Sequence, residues 1–150
     1  MMHQHKLSRS DDIVTDIRSA MYLFWDLEAS SCALYQHMAV SESDPLRAEA
    51  WRRLEHCRLL MGDSPANHSV YLSNTLLASC REMIRQGWPE SSGDFDPLGA
   101  MMRIMQLKFL QVTLVASLRQ QTSLVTMIHV ERFETSVGLV THLVLSSRGC

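Results

Sequence analysis

Seven histidines and four cysteines are the residues of this 150-residue chain whose types suit metal ligation or nucleophilic catalysis. Zinc sites draw such residues from short spacings, two or four apart, so that one turn presents two ligands together. Here Cys32, Cys57, Cys80 and Cys150 are widely spread and no C-x-x-C pair occurs. His3 and His5 stand near the N-terminus, and His37, His56, His68, His129 and His142 are scattered. No H-E-x-x-H and no Glu-x-x-His pair is present, so neither a zincin nor a di-metal bundle is indicated. A zinc site would have to be gathered in space, for instance from Cys57, Cys80 and a histidine. No metal and no cofactor is therefore expected.

Nucleophilic catalysis has no better foothold. His56 and Cys57 are adjacent, and successive residues on a helix point about 100° apart, so they cannot form a dyad with each other. The chain has no G-x-S-x-G elbow and no glycine loop to cradle phosphate, and six glycines leave little backbone for either. Catalytic residues are expected to be absent. The remaining route to an enzyme is a helical metal-dependent or hydrolytic site assembled in space from His, Cys and Glu.

Two groups of residues suit binding instead. Arg47, Arg52, Arg53 and Arg58 share a segment with Trp51 and His56, a cluster able to contact phosphates or an acidic protein surface. Glu49 and Glu55 interrupt it, the net charge is -2, and no helix-turn-helix pattern surrounds it. A nucleic-acid-binding regulator is the third-ranked reading. The second group is apolar. Ten methionines are present, and Met101, Met102 and Met105 cluster close after Trp88. Flexible thioethers adapt to varied partners, and a Met-lined groove suits an amphipathic helix. The candidate partner-binding residues are thus Trp88, Met101, Met102, Met105, Arg47, Trp51, Arg52 and Arg58.

Helices must position these side chains. Asp44-Pro45, Ser64-Pro65 and Asp96-Pro97 each place a small acceptor before a proline that opens a run with helical spacing. The acceptor caps an orphan N–H, and the proline fixes φ where its own missing N–H costs nothing. Gly62 and Gly87 stand where two runs stop. The spacing predicts helices over Ser10–Met38, Pro45–Met61, Pro65–Gln86 and Pro97–Gln121. In the first, Ile13, Ile17, Ala20, Phe24, Leu27, Ser31, Leu34 and Met38 step by four and three, like the seam of packed helices. In the second, Leu46, Ala50, Leu54, Cys57 and Met61 should face inward. In the fourth, Leu98, Met102, Met105, Phe109, Val112 and Ala116 line one side and Met101, Ile104, Val115 and Leu118 the flanks, predicting a central, largely buried helix.

The last segment, 123–145, is rich in Val, Thr and Ile, which favour strands. A hairpin would pair Leu124–Phe133 with Leu139–Ser146. Val130, Phe133, Val137, Val140 and Val144 step by three and four, which favours a helix. The fold expected is an all-α bundle of about five helices over residues 10–146, between flexible ends at 1–9 and 147–150. The alternative is α+β, with a hairpin over 124–146.

An apolar fraction of 46% with 20% charge suits one globular domain. No uninterrupted apolar run approaches the ~20 residues of a membrane span, and Met1–Arg9 lacks the apolar stretch of a secretory signal. The expectation is a small cytosolic adaptor, chaperone or regulator that binds another protein, as a homodimer or a heteromer.

Overall fold

A computed structural model describes residues 11–57, 59, 68–87, 96–121 and 130–147. Among them lie five helices and one two-stranded ribbon, in the order β1 (Asp12–Asp16), α1 (Ile17–Ser41), α2 (Pro45–Glu55), β2 (Ser69–Ser73), α3 (Asn74–Gln86), α4 (Pro97–Gln121) and α5 (Val130–Ser146). The mostly helical expectation holds, with a small sheet added to it.

Two of the three proline-led starts fall within the described residues, and both open helices. Asp44 Oδ1 accepts from the Leu46 amide at 3.1 Å, capping α2. Asp96 directly precedes Pro97, the first residue of α4, and its carbonyl accepts from the Ala100 amide at 2.9 Å. Gly87 stops α3 at φ +60°, a left-handed conformation that suits glycine. Ser64-Pro65 and Gly62 lie outside the described residues. So do the two chain ends at 1–9 and 148–150.

The ribbon corrects two boundaries. The predicted first helix opens instead as a strand, because Ile13, Val14 and Thr15 are β-branched and pair antiparallel with Leu72, Tyr71 and Val70. In the third predicted segment, Val70 and Leu72 are buried while Ser69 and Tyr71 are exposed, the alternation of a strand rather than a helical turn. Each strand passes straight into a helix through a capping residue. Asp16 Oδ1 accepts from the Arg18 amide at 3.2 Å, and Ser73 Oγ accepts from the Leu76 amide at 3.3 Å. Asp11 ties the start of β1 to the second transition, since its Oδ2 accepts from the Ser73 hydroxyl (2.6 Å) and the Thr75 amide (3.1 Å). These bonds hold its carboxyl below the ordinary aspartate value.

A lone two-stranded ribbon is marginal in water, and this one is anchored by a side chain of α4. Gln121 Oε1 accepts from the Tyr71 amide and its Nε2 donates to the Tyr71 carbonyl, each at 2.6 Å. The amide of Gln121 so completes the hydrogen bonding of β2 at that residue.

The core sits between α1, α2 and α4, with α3 and α5 packed on α4. From Ile17 onward the seam of α1 is as the spacing predicts: Ile17, Ala20, Phe24, Leu27, Ser31, Leu34 and Met38 are all buried. In α2 the inward row is Ala48, Trp51 and Leu54, and Leu46 is 81% exposed, contrary to the predicted Leu46–Ala50 face. That helix ends at Glu55 rather than at Met61. The Val-rich C-terminal segment is helical over Val130–Ser146, with Phe133, Ser136, Val140 and Leu143 buried. The hairpin alternative is excluded there; residues 124–129 lie outside the described set.

Candidate functional site

α4 is buried on one face and exposed on the other, where the spacing predicts burial over most of its circumference. The flanking residues Met101, Ile104, Val115 and Leu118, together with Leu107 and Leu114, are the buried ones. The row predicted to line one side of a largely buried helix faces out: Leu98 is 64% exposed, Met102 60%, Phe109 69% and Val112 42%. Met105 is half-buried, and Ala116 is exposed. α4 is apolar on both sides, so spacing alone could not say which side the rest of the chain would cover. The described residues cover one. On the other, exposed Leu98, Met102, Phe109, Val112 and Ala116 and half-buried Met105 form a row stepping four, three, four, three, four on a helix of 25 residues.

The C-terminal half of that row opens into a groove between α4 and α5 with a cavity volume of about 540 Å³. Val112, Val115 and Ala116 form one wall, and Phe133 and Val137 form the other. Arg119 and Glu134 are the charged residues that line it. Together the row and the groove are the most apolar exposed surface described, which makes them the candidate site.

Behind the seam, α4 turns a charge inward. Lys108 Nζ donates to Glu28 Oε1 at 2.8 Å and to Gln111 Oε1 at 2.7 Å, with Lys108 only 2% exposed. Gln111 Nε2 donates to Glu28 Oε1 at 2.9 Å and approaches the Phe24 carbonyl at 3.3 Å. The ammonium also lies 5.4 Å from the Tyr35 ring centre and 5.9 Å from that of Phe133. Burial pulls the Lys108 pKa below the ordinary lysine value, and Glu28 opposes that shift.

Cys32 lies one turn beyond Glu28, with its Sγ 4.0 Å from Glu28 Oε2 and 3.8 Å from the Glu55 carbonyl. Burial, and then Glu28, push its thiol up to about 11, and burial does the same to Cys80. Burial and Glu28 push Cys57 up as well, and Tyr35 well up. These are protonated, weakly nucleophilic groups at neutral pH, the opposite of an activated site. The Tyr35 hydroxyl and Trp51 Nε1 are buried with no hydrogen-bond partner among the described residues. Ser31 lies on the same helix but donates to the Leu27 carbonyl at 3.0 Å. No group of three His, Cys, Asp or Glu residues is placed to hold a metal ion among the described residues.

The eight sequence-predicted binding residues do not form one site. Trp88 and Arg58 lie outside the described residues. Met102 and Met105 belong to the outward seam, whereas Met101 is buried and serves the core. Trp51 is 0% exposed, stacked at a tilt on Tyr35 with ring centres 6.1 Å apart, and so is not a surface contact. An aromatic residue among arginines looked like part of their face, but it is the inward residue of a helix whose other sides are polar. Arg47 is committed internally: it donates to Glu42 Oε1 at 2.9 Å, to the Leu143 carbonyl at 2.8 Å and to the Ser146 hydroxyl. Those bonds tie the start of α2 to the last turn of α5. Arg52 and Arg53 are exposed, each within 4.0 Å of Glu49, at 3.3 and 3.9 Å. Leu98, Phe109, Val112 and Ala116 are not among the sequence-predicted binding candidates; their row is visible in the spacing but reads as part of a largely buried helix.

α4 is also long and apolar enough to cross a membrane, by length and composition, with a mean hydropathy of 1.2 over 18 residues. That qualifies the expectation from uninterrupted runs. Half of that window is packed inside the domain, and Lys108 within it is paired with Glu28.

Comparison with protein-family models, with curated proteins and with solved structures finds no match for this chain.

Proposed function

We propose that the chain is a small non-enzymatic protein-binding adaptor or regulator of the cytosol, and that its binding face is the outward seam of α4. The observation that carries this reading is the exposure of Leu98, Met102, Phe109 and Val112 in one heptad-spaced row. Such a row recognises an amphipathic helix through anchors at matching spacing. The groove beside Val112 and Ala116 supplies depth for an anchor from that helix. The thioethers of Met102 and Met105 supply adaptability.

Catalysis finds no support in the buried cluster, where burial and Glu28 raise the Cys32 and Cys57 thiols and the one amine is ion-paired. The basic face of α2 supports nucleic-acid binding poorly, because Arg52 and Arg53 share Glu49 and Arg47 is internally bonded.

A photo-reactive phenylalanine analogue at position 109, expressed in the native cell, tests the reading. A protein adduct is expected there, and none from the same analogue at Tyr22, an exposed position on α1. Absence of a protein adduct at 109 would overturn it.

A further inference from the structure

We propose that the helix received by the outward seam of α4 is the α4 of a second copy of this chain, laid antiparallel about a twofold axis level with Leu107. The proposal rests on the seam being a protein-binding face and names its occupant.

Register and residue size point to this pairing. A twofold axis at Leu107 sets Leu98 against Ala116 of the second copy, Met102 against its Val112, and Met105 against its Phe109. All six seam residues are used, and at both ends a large side chain meets a small one. A heptad slip in either direction leaves seam residues unmatched or sets Met102 against Arg119. The groove follows the same logic. It opens beside Val112 and Ala116, where the exposed Leu98 and Met102 of the opposing helix arrive.

Charge decides the orientation. Arg119 is exposed and continues the seam one step beyond Ala116. In the antiparallel arrangement it meets the start of the opposing α4, where Asp96 is exposed, so each end carries an opposite-charge contact. The C-terminal end of one helix also meets the N-terminal end of the other, which suits their dipoles. A parallel arrangement would set Arg119 against its own copy and leave Ala116 against Ala116, with like charges and a gap at one end. A twofold interface must be self-complementary, and this row is so in the antiparallel sense.

The full chain, examined by sedimentation equilibrium at micromolar concentration, tests the proposal. The expected mass is twice the 17.1 kDa of one chain. Phe109→Glu should weaken the dimer at least tenfold with the helical circular dichroism unchanged, because residue 109 is exposed. Arg119→Glu should weaken it, and Asp96→Lys in the same chain should restore it. Oxidation of mixed Met102→Cys and Val112→Cys chains, read as cross-linked peptides, should give 102–112 links between chains.

A single-chain mass, a dimer indifferent to Phe109→Glu, or 102–102 links would each overturn the proposal. A monomer whose position 109 captures a different protein refutes the second copy and leaves the protein-binding reading standing. A monomer that instead co-floats with phosphatidylcholine–phosphatidylserine vesicles, without a protein adduct, refutes both.

Discussion

Lys108 Nζ and Glu28 Oε1 meet at 2.8 Å inside the domain, an ion pair that joins the middle of α4 to the middle of α1. Removing one member strands the other charge away from water, which typically costs about 3–5 kcal/mol, whereas replacing both with apolar groups of similar volume is often neutral. Lys108→Met alone and Glu28→Leu alone should each lower the urea midpoint strongly, and the double variant should recover most of the loss. Urea unfolding of the three variants checks this, and additive losses would show that the pair is not a unit.

Burial sets two opposite pH dependences. Lys108 has a folded pKa below the ordinary 10.5, so the unfolded chain binds that proton more tightly. The stability from this group is lowest at low pH and rises as the pH climbs through the folded value towards 10.5. Cys32 and Cys80 have folded values of about 11 against an ordinary 9.0. Their contribution is fully present below pH 9 and is lost as the pH approaches 11. In the folded protein both thiols should alkylate slowly with iodoacetamide at pH 9, and in urea they should react at ordinary rates. Peptide mapping reads the difference.

Arg47 closes the distance between the start of α2 and the end of α5 with three donated bonds. Arg47→Ala should speed amide hydrogen exchange at Leu143–Ser147 and cost about 1.5–3 kcal/mol, the range for hydrogen bonds to charged groups. Arg47→Lys should not restore the protection, because an ammonium lacks the planar fork that reaches several acceptors together.

Gln121 serves β2 with both ends of its side-chain amide. Gln121→Glu keeps an acceptor for the Tyr71 amide but removes the donor to the Tyr71 carbonyl. Exchange at the Val70–Leu72 amides should quicken, with the helical amides of α1 unchanged.

What the sequence made legible follows from how local each signal is. Asp44-Pro45, Asp96-Pro97 and Gly87 act within one turn of chain, and the structure places helix ends at all three. The ribbon was not legible, because Ile13 pairs with Leu72 across 58 intervening positions and a strand five residues long carries little periodicity of its own. That one face of α4 stays exposed was not legible for a different reason. Both sides are apolar, and the choice between them is made by what α1, α3 and α5 present. Lys108 points the wrong way: it stands among Ile104, Gln111 and Val115 on the buried side, and a lysine there reads as exposed unless Glu28 is known to meet it. Trp51 was misplaced by the converse error, its arginine neighbours taken as evidence of its own exposure.

The central claim is that α4 holds the fold with one face and pairs with the α4 of a second copy of the chain through the other. Methyl NMR of methionine-labelled protein with a soluble gadolinium agent tests it most directly, because Met101 and Met102 are adjacent, one buried and the other exposed on the seam. In the wild-type chain at high micromolar concentration, the Met102 methyl should be shielded from the agent nearly as well as that of buried Met101. In Phe109→Glu, Met102 should broaden strongly while Met101 stays sharp. A Met102 methyl already broadened in the wild-type chain as fully as in Phe109→Glu would contradict the account.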